Sequence, residues 1–349
     1  MGAEGRVTYL SIVVPCYNEE LCLDTLHRRV TDAAKAVTDD YELILVNDGS
    51  KDRTWPIIAD LAAQDDRVVG VDLSRNHGHQ LALTAGLSLA RGDYILIIDA
   101  DLQDPPEALR PMLDMMRDEQ ADVVYGQRLT RAGETFGKQI TAKLFYRMLK
   151  RLSDVDLPLD TGDFRLMSRR ALAALMAMPE QSRFIRGMVA WIGFKQVAYR
   201  YHRDARLAGE THYPLKKMIK LTIDATTGFS ILPLRMASYL GLILAAVGML
   251  LLGYTLFRWA NGQVVPGWAS LMVIVVLLGS GQMLIAGMLG EYLGRLYMQS
   301  KGRPLFLIRE VKTQHEIGQV GVPGMGFIDR PSVHTPATDI SLGRPPESV

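Results

Sequence analysis

Two aspartates, Asp99 and Asp101, stand one residue apart, and Gln103 follows two positions later. In an extended backbone both carboxylates point to the same side of the chain. Two carboxylates this close repel each other and raise each other's pKa unless a cation lies between them. Oxygen ligands from Asp99, Asp101 and the Gln103 amide suit Mg²⁺ or Mn²⁺, which typically bridge phosphate groups. A lone Asp-x-Asp pair is common, so its place in the fold decides its meaning.

Roughly the first 130 residues alternate short apolar runs with amphipathic segments, a spacing typical of strands and helices in turn. The runs are YLSIVVP, YELILVN, VVGVDLS, YILIID and ADVVYG. Continuous Val, Ile and Leu strands separated by amphipathic helices predict an α/β domain, with a mostly parallel sheet and helices on both faces. Ligands of such sheets bind beyond the carboxyl ends of the strands.

Polar loops follow the first four of these strands, and the aspartate pair lies in the fourth loop. Asn18 and Ser50 are also ordinary helix caps, and Gly49 and Gly78 ordinary turn residues, so one loop alone indicates no function. Four such loops at one sheet edge are harder to explain without a function. The aspartate pair after the fourth strand, followed by Gln103-Asp104-Pro105-Pro106, predicts a nucleotide-diphosphate site. No G-x-G-x-x-G follows the first strand and no P-loop motif is present, which argues against a dinucleotide cofactor and a P-loop.

Five motifs together give the sequence a specific resemblance. It resembles family 2 glycosyltransferases and, more narrowly, polyprenyl-phosphate glycosyltransferases such as bactoprenol glucosyltransferases and, more distantly, dolichyl-phosphate mannose synthase. The likeness covers residues 7 to about 310. The motifs are Pro15-Cys16-Tyr17-Asn18-Glu19, Asn47-Asp48-Gly49-Ser50, Leu73-Ser74-Arg75-Asn76-His77-Gly78, Asp99-Ala100-Asp101-Leu102-Gln103-Asp104-Pro105-Pro106 and Gly162-Asp163-Phe164-Arg165. One departure is His79, where the family usually has a lysine.

The resemblance implies a GT-A fold and a metal-dependent, inverting hexosyltransferase that uses Mg²⁺ or Mn²⁺. The expected reaction moves one sugar from a nucleotide sugar, UDP-glucose foremost, to a polyprenyl phosphate such as undecaprenyl phosphate. Its product is a lipid-linked sugar donor for cell-envelope glycosylation. Carried over by position, the nucleotide-sugar-binding residues are Pro15, Tyr17, Glu19, Asp48, Asp99 and Gln103, and the metal ligands are Asp99, Asp101 and Gln103.

The expected acceptor calls for basic side chains more than for a general base. A phosphate monoester with a second pKa of about 6 is mostly an oxyanion at neutral pH, so gathering and orienting it matters most. Candidate acceptor-phosphate residues are Arg128, Arg131, Arg183 and Arg186. The spacing of three predicts that Arg183 and Arg186 share a helix face, although a single arginine is ordinarily a solvated surface charge.

Three residues are expected to take part in catalysis: Asp163, Asp101 and Arg128. The resemblance implies a general base at Asp163. The physical argument about the acceptor makes it equally plausible that Asp163 orients an arginine or a sugar hydroxyl.

Two uncharged runs, about 236–257 and 268–290, are each long enough to cross a bilayer as a helix. Lysines and arginines flank both outer ends, which predicts a transmembrane hairpin in the inner (plasma) membrane with both termini cytoplasmic. The predicted domains are a cytoplasmic GT-A domain (1–212), juxtamembrane amphipathic helices (213–235), the hairpin (236–292) and a cytoplasmic segment (293–349). That last segment is expected to be disordered beyond about 313.

Whole-chain composition excludes some classes and leaves alternatives open. With 39 basic and 38 acidic side chains in 349 residues, the chain lacks the basic excess of nucleic-acid binders. Two cysteines provide no disulfide framework. Another UDP-sugar or GDP-mannose is an alternative donor. A catalytically silent, nucleotide-sugar-binding membrane scaffold is an alternative function, and a processive synthase is a less favoured alternative. Glycine-rich span faces permit a homo-oligomer.

Overall fold

The computed structural model describes residues 9–129, 161–202, 232–262, 267–314, 325–327 and 332–333. Arg131 and all but the last four residues of the predicted juxtamembrane segment 213–235 lie outside the described residues.

Strands and helices alternate along the first part of the described chain, as the apolar runs predict. The strands are β1 (Leu10–Cys16), β2 (Tyr41–Asn47), β3 (Val68–Leu73), β4 (Tyr94–Ile97), β5 (Val123–Arg128), β6 (Thr161–Ser168), β7 (Gln196–Tyr201), β8 (Phe306–Thr313), β9 (Met325–Phe327) and β10 (Ser332–Val333). The helices are α1 (Leu23–Lys35), α2 (Thr54–Gln64), α3 (His79–Leu89), α4 (Leu109–Asp118), α5 (Arg169–Ala177), α6 (Ile185–Trp191), α7 (Leu232–Ala260) and α8 (Trp268–Ser300).

All the described strands join one sheet, in the order β10-β8-β3-β2-β1-β4-β6-β5-β7, with β9 also paired to β8. The central strands β3, β2, β1 and β4 are parallel. β6 runs antiparallel to both β4 and β5, and β8 runs antiparallel to β3. The sheet is therefore mixed around a parallel centre, and the carboxyl ends of β1 to β4 lie along one edge.

Both faces of the sheet are buried. Because successive side chains of a strand point to opposite faces, neighbouring residues join different apolar clusters. In β1, Ile12 and Val14 join one apolar cluster with α1 and α4, whereas Val13 joins the other. In β2, Leu43 and Ile44 divide in the same way. The second cluster includes α3, α5 and α6. This two-sided burial explains why the strands are continuously apolar in sequence.

The chain returns to the sheet after its two long apolar helices. β8 pairs with β3 with Val71 opposite Val311, so residues 306–313 belong to the same sheet as the first domain. The two short strands β9 and β10 pair with the outer side of β8. The expectation of disorder beyond residue 313 is therefore not met at residues 325–327 and 332–333.

Helices α7 and α8 contain the two candidate membrane spans, Met236–Arg258 and Val273–Ser300, which qualify by length and composition. Their windows of highest hydropathy are almost entirely exposed, at 0% and 6% buried. The helices contact each other at small residues: a Cβ on Gly281 would lie 2.6 Å from Leu244 Cδ1. A core helix of a soluble domain would be mostly buried, so this exposure argues against such a role for α7 and α8.

A buried ionic network closes the opposite edge of the sheet. Glu42, at the start of β2, is 2% exposed. It accepts hydrogen bonds from Ser11 Oγ (2.6 Å) and from the Arg91 backbone N–H (2.7 Å) and Nε (3.1 Å). Tyr9 donates its hydroxyl to the same carboxylate at 3.3 Å. This one side chain connects β1, β2 and the loop before β4.

We expect Glu42→Ala to destabilise the protein by about 3 kcal/mol, because it leaves the Arg91 charge unpaired and several buried donors unsatisfied. Thermal unfolding of the detergent-solubilised chain measures this. The matched control is Glu119→Ala, which removes an exposed partner of Lys195 and should cost less than about 1 kcal/mol. Equal losses for both variants would contradict the assigned role of Glu42.

Candidate active site

A cleft of about 570 Å³ opens at the carboxyl ends of the central parallel strands. Its walls come from the loops after β1, β2, β3 and β4, which the sequence predicted to converge. Five predicted nucleotide-sugar-binding residues line it, Pro15, Tyr17, Glu19, Asp48 and Asp99, together with the predicted metal ligand Asp101. The remaining lining residues are Cys16, Asn18, Leu21, Cys22, Asn76, Gly78, His79, Ala82 and Ala100.

Two of these loops fit closely against each other at Gly49 and Asp48. Gly49 has φ +63°, and a Cβ there would lie 2.5 Å from the Asn76 backbone nitrogen. The Asp48 carboxylate accepts backbone hydrogen bonds from His77 (2.7 Å) and Gly78 (2.9 Å). Burial raises the pKa of Asp48, and these two N–H groups oppose the rise. Asp48 therefore fixes the loop after β3 in addition to lining the cleft.

The predicted metal ligands Asp99, Asp101 and Gln103 lie just after β4. Within the described chain, Asp99 Oδ1 and Gln103 Oε1 are buried without a hydrogen-bond partner. Burial raises the pKa of the Asp99 carboxyl to about 6, with repulsion from Asp163, Asp104 and Asp101 adding to the effect. Asp101 accepts the Gln103 backbone N–H at 3.2 Å. Among the described residues, no group of three or more His, Cys, Asp and Glu side chains is arranged so that it could hold a metal ion.

Asp163 lies inside the protein beside the cleft and is surrounded by donors from two helices. Its carboxylate is 2.8 Å from Arg186 Nε, 2.9 Å from Gln80 Nε2 and 3.0 Å from His79 Nε2. An ionised carboxylate only accepts, so Nε2 of His79 must bear the proton. Burial alone would raise the pKa of Asp163, but Arg186 and His79 hold it well below its usual range.

His79 also connects Asp163 to the predicted metal site. Its Nε2 is 3.7 Å from Asp99 Oδ1. Burial lowers the pKa of this imidazole, but the hydrogen bond to Asp163 and the charge of Asp99 produce a net rise. The position where the family usually has lysine therefore also favours a positive charge next to the acidic edge of the cleft.

Arg186 is the one predicted acceptor arginine that the described structure ties directly to Asp163 through hydrogen bonds. It also donates to the Thr161 carbonyl at 3.1 Å, and its side chain is 38% exposed. Gln80 holds the start of α6 in place, because its Oε1 accepts the Ile185 N–H at 2.8 Å. One face of the Arg186 guanidinium is thus anchored while part of the side chain remains open to solvent.

Arg128 belongs to a neighbouring polar group around Asp104. Its Nη2 is 3.8 Å from Asp104 Oδ1, and its Nε is 3.5 Å from the Tyr201 hydroxyl. Tyr201 donates that hydroxyl to the fully buried Asp104. A Cβ on Gly162 would lie 2.8 Å from Arg128 Nη2, so the glycine leaves room for the arginine.

The prediction for Arg183 is wrong in its geometry. α6 begins at Ile185, so Arg183 precedes the helix and does not share a face with Arg186. Its side chain is buried, donates to the Met178 carbonyl and lies against the Met176 sulfur. Arg183 therefore holds the turn between α5 and α6. Arg131, the remaining predicted arginine, lies outside the described residues.

Sequence analysis missed three residues that organise the site: Gln80, Asp104 and Tyr201. Asp104 lies inside the motif that begins at Asp99, although no role was predicted for it, and Gln80 directly follows His79. Tyr201 gave no sequence signal, because it reaches Asp104 only through the pairing of β7 beside β5.

Known proteins resemble this chain in sequence over most of its length. The sequence model described as Glycosyl transferase family 2 matches residues 11–176. The uncharacterized glycosyltransferase YkcC of Bacillus subtilis (strain 168) is 47% identical over 88% of this chain and 95% of its own length. The prophage bactoprenol glucosyl transferase homolog of Escherichia coli (strain K12) is 37% identical over 87% and 99%. A solved glucosyl-3-phosphoglycerate synthase from Mycobacterium tuberculosis covers 64% of this chain and 78% of its own at 21% identity, with a TM-score of 0.43, too low to assign a fold or a ligand.

We expect Gly49→Ala to destabilise the protein by about 3 kcal/mol or more, since it adds a backbone clash to the cost of positive φ. Gly193→Ala is the matched control: Gly193 has φ +75°, but a Cβ there would meet its nearest atom only at 3.9 Å. The control should lose about 1–2 kcal/mol from backbone strain alone. Thermal unfolding of both variants gives the comparison, and equal losses would show that the two loops do not depend on this close approach.

Proposed function

We propose that this chain, which belongs to glycosyltransferase family 2, transfers one sugar with inversion from a nucleotide sugar to a polyprenyl phosphate such as undecaprenyl phosphate. The relative named bactoprenol glucosyl transferase homolog supports glucose as the sugar and a polyprenyl lipid as the acceptor. UDP-glucose is the donor that fits this pairing. The family and the mixed sheet with helices on both faces confirm the expected GT-A fold class.

The observation that supports the reaction most directly is that a basic group of residues lies next to the acidic lining of the cleft, with His79 between them. The acidic group is Asp99 and Asp101, at the end of β4. The basic group is Arg186 and His79, gathered around the buried Asp163. A nucleotide diphosphate needs a cation beside the first group, and an anionic acceptor needs the charges of the second.

The donor would occupy the cleft, with the nucleoside against Pro15, Tyr17, Glu19 and Asp48. We propose Asp99, Asp101 and Gln103 as ligands of Mg²⁺ or Mn²⁺, because two of their buried oxygens lack a hydrogen-bond partner within the described chain. A bound divalent cation would supply charge stabilisation for the departing diphosphate. The metal dependence of the enzyme is part of this proposal.

We propose that Asp163 orients the acceptor side and does not act as a general base. Its carboxylate oxygens already accept from Arg186, Gln80 and His79, and its pKa is held well below its usual range despite burial. A base with so low a pKa is weak at neutral pH. A phosphate monoester acceptor supplies its own oxyanion, so Asp163 instead fixes Arg186 toward it. Arg128 is a further proposed phosphate contact, held by Asp104.

The two apolar helices would anchor the enzyme where its lipid acceptor resides. The return of β8 to the sheet supports a hairpin with both ends on one side of the membrane. Gln299, at the end of α8, donates to the Pro179 carbonyl at 3.3 Å, and Gln181 donates to the Arg303 carbonyl at 3.0 Å. The loop before α6, the helix of Arg186, thus contacts the end of α8. We propose the cytoplasmic face of the plasma membrane as the site of reaction.

Self-association through the hairpin also remains a proposal. Gly241 and Gly281 contact the other helix of the same chain. In contrast, a Cβ on Gly248, Gly279 or Gly287 would meet nothing within 4 Å among the described residues. These faces would allow close approach of a second copy, which crosslinking in membranes would detect.

The proposed reaction is tested with the purified full chain in detergent, undecaprenyl phosphate, Mg²⁺ or Mn²⁺, and a panel of UDP- and GDP-sugars. We expect a chloroform-extractable glycolipid with UDP-glucose. Asp101→Ala should lose at least about 100-fold of this activity, because it removes a proposed ligand of the cation that stabilises the leaving group. Product from another donor would correct the sugar. The absence of product with every donor, or an Asp101→Ala chain that keeps full cellular function, would favour the scaffold alternative.

We expect Asp163→Asn to lower kcat about 100-fold, because Arg186 loses the charge that orients it. The matched control is Asp122→Asn, which alters another buried carboxylate paired with an arginine, Arg170, outside the cleft. Turnover of glycolipid measures both, and the control should stay within about twofold of the parent chain.

The pH dependence separates orientation from base catalysis. The folded-state pKa of Asp163 is depressed, so its stabilising charge is fully present above its ordinary value of 3.8 and is lost only as pH falls through the lower folded value. Asp163 itself should therefore add no acidic limb to log kcat between pH 5 and 8. A basic limb from His79 should move to lower pH in Asp163→Asn, because that imidazole loses the hydrogen bond that raises its pKa. An acidic limb that disappears in Asp163→Asn would instead identify Asp163 as a base.

A further inference from the structure

Arg309 occupies an irregular position on the strand that follows the membrane helices. In the β3–β8 ladder Asp72 faces Glu310 and Leu73 faces Ile308, so Arg309 is the extra residue of a β-bulge. A bulge re-aims the side chain it inserts. Here Arg309 Nη1 lies 3.0 Å from Asp72 Oδ2, and Nη2 donates to the Ser74 carbonyl at 2.6 Å. One guanidinium therefore contacts both the end of β3 and the loop after it.

Asp72 connects Arg309 to the loop after β2 through a second hydrogen bond. Its other oxygen, Oδ1, accepts from Asn47 Nδ2 at 2.7 Å. Asn47 Oδ1 in turn accepts the Ser50 N–H at 3.2 Å, and Ser50 Oγ accepts the Asn18 N–H at 3.0 Å. Asn18, which lines the cleft, has φ +56°, an uncommon conformation that neighbouring contacts must hold.

The second contact of Arg309 acts on the loop after β3. Ser74 begins the loop whose His77 and Gly78 N–H groups bind the Asp48 carboxylate. Ser74 itself donates its N–H to the Leu307 carbonyl at 2.9 Å. Arg309 and Leu307 of β8 thus hold both polar groups of the Ser74 backbone, directly before the cleft-lining residues Asn76, Gly78 and His79.

The positive charge of Arg309 pairs with the buried carboxylate of Asp72. Asp72 is 1% exposed, and burial raises its pKa while Asn47 and Arg309 oppose the rise. Removal of the arginine would leave Asp72 buried with one neutral hydrogen-bond donor. A buried carboxylate without a countercharge takes up a proton or shifts to reach water, and either change disturbs its contact with Asn47.

We propose that Arg309 is a positioning residue for the nucleotide-binding edge of the cleft. It couples the segment after the membrane hairpin to the loops that bind the donor. This inference rests on the proposed function only in identifying the cleft as a nucleoside diphosphate site. Arg309 does not contact the cleft, so it acts through Asp72 and Ser74.

The test compares Arg309→Ala and Arg309→Lys with the matched control Lys312→Ala in the full-length chain. Lys312 lies on the same strand and pairs with Glu310 at 2.6 Å, so its removal breaks an ion pair of β8 without touching Asp72 or Ser74. Binding of UDP and UDP-glucose with Mn²⁺ is measured by calorimetry, and glycolipid formation gives KM and kcat.

Arg309→Ala should weaken UDP binding and raise the donor KM about tenfold, as expected for the loss of charge-assisted hydrogen bonds. Its kcat at saturating donor should stay within about twofold. Arg309→Lys should recover part of the affinity, because a lysine keeps the charge near Asp72 without the fork that also reaches Ser74. Lys312→Ala should bind UDP as the parent chain does.

Several outcomes would overturn the inference. One is that Arg309→Ala and Lys312→Ala bind UDP equally well; another is that the loss falls on kcat with donor KM unchanged. If Arg309→Ala does not fold, Arg309→Lys takes its place, and normal affinity in that variant with a lowered unfolding temperature would show a purely structural role. Parent protein that binds no UDP would also overturn it. Parent protein that binds UDP yet makes no glycolipid would refute only the proposed reaction, because the binding comparison would still stand.

Discussion

A buried, ionised carboxylate at Asp163 is the interaction on which the arrangement of the site depends. A charge at this depth is tolerated only when donors surround it. Those donors come from α6 through Arg186 and from α3 through His79 and Gln80. Gln80 also binds the first N–H of α6, so neither helix can shift without exposing part of the charge. The position of Arg186, the proposed acceptor arginine, is therefore set by its contact with one carboxylate on β6.

Two carboxylates of the site, Asp163 and Asp99, face opposite electrostatic conditions. Asp163 is well supplied with positive partners, and its pKa is depressed. Asp99 has only His79 within ion-pair distance in the described chain, and burial raises its pKa to about 6. Groups whose surroundings push their pKa values apart usually have different roles. In the proposed function a cation would complete the surroundings of Asp99, whereas Asp163 already has its partners among the described residues.

The sequence predicts those parts of the site that lie at the ends of strands. It does not predict the parts that depend on pairing between distant segments of the chain. The apolar runs predict which loops lie at the same edge of the sheet. Many cleft-lining residues between Pro15 and Asp101 could therefore be predicted. The helix that contains Arg186 begins at Ile185, two residues after Arg183, so Arg183 does not share a helix face with Arg186 as predicted. Tyr201 meets Asp104 across 97 positions, and Arg309 meets Asp72 across 237. No local pattern indicates such partners, because they follow from sheet order and a bulge.

The return of β8 to the sheet has a consequence for chemistry at a membrane. A hairpin tied to a soluble domain at only one end would leave that domain free to rotate about its linker. Here α8 is followed within a few residues by contacts to the loop before α6 and by the ladder with β3. These attachments fall on opposite sides of the cleft, one beside the proposed acceptor arginine and the other beside the donor loops. The same short segment, residues 299–309, therefore contacts both the loop before α6 and the loop after β3. In the proposed reaction, these contacts would reduce the orientational freedom that the transfer step has to overcome.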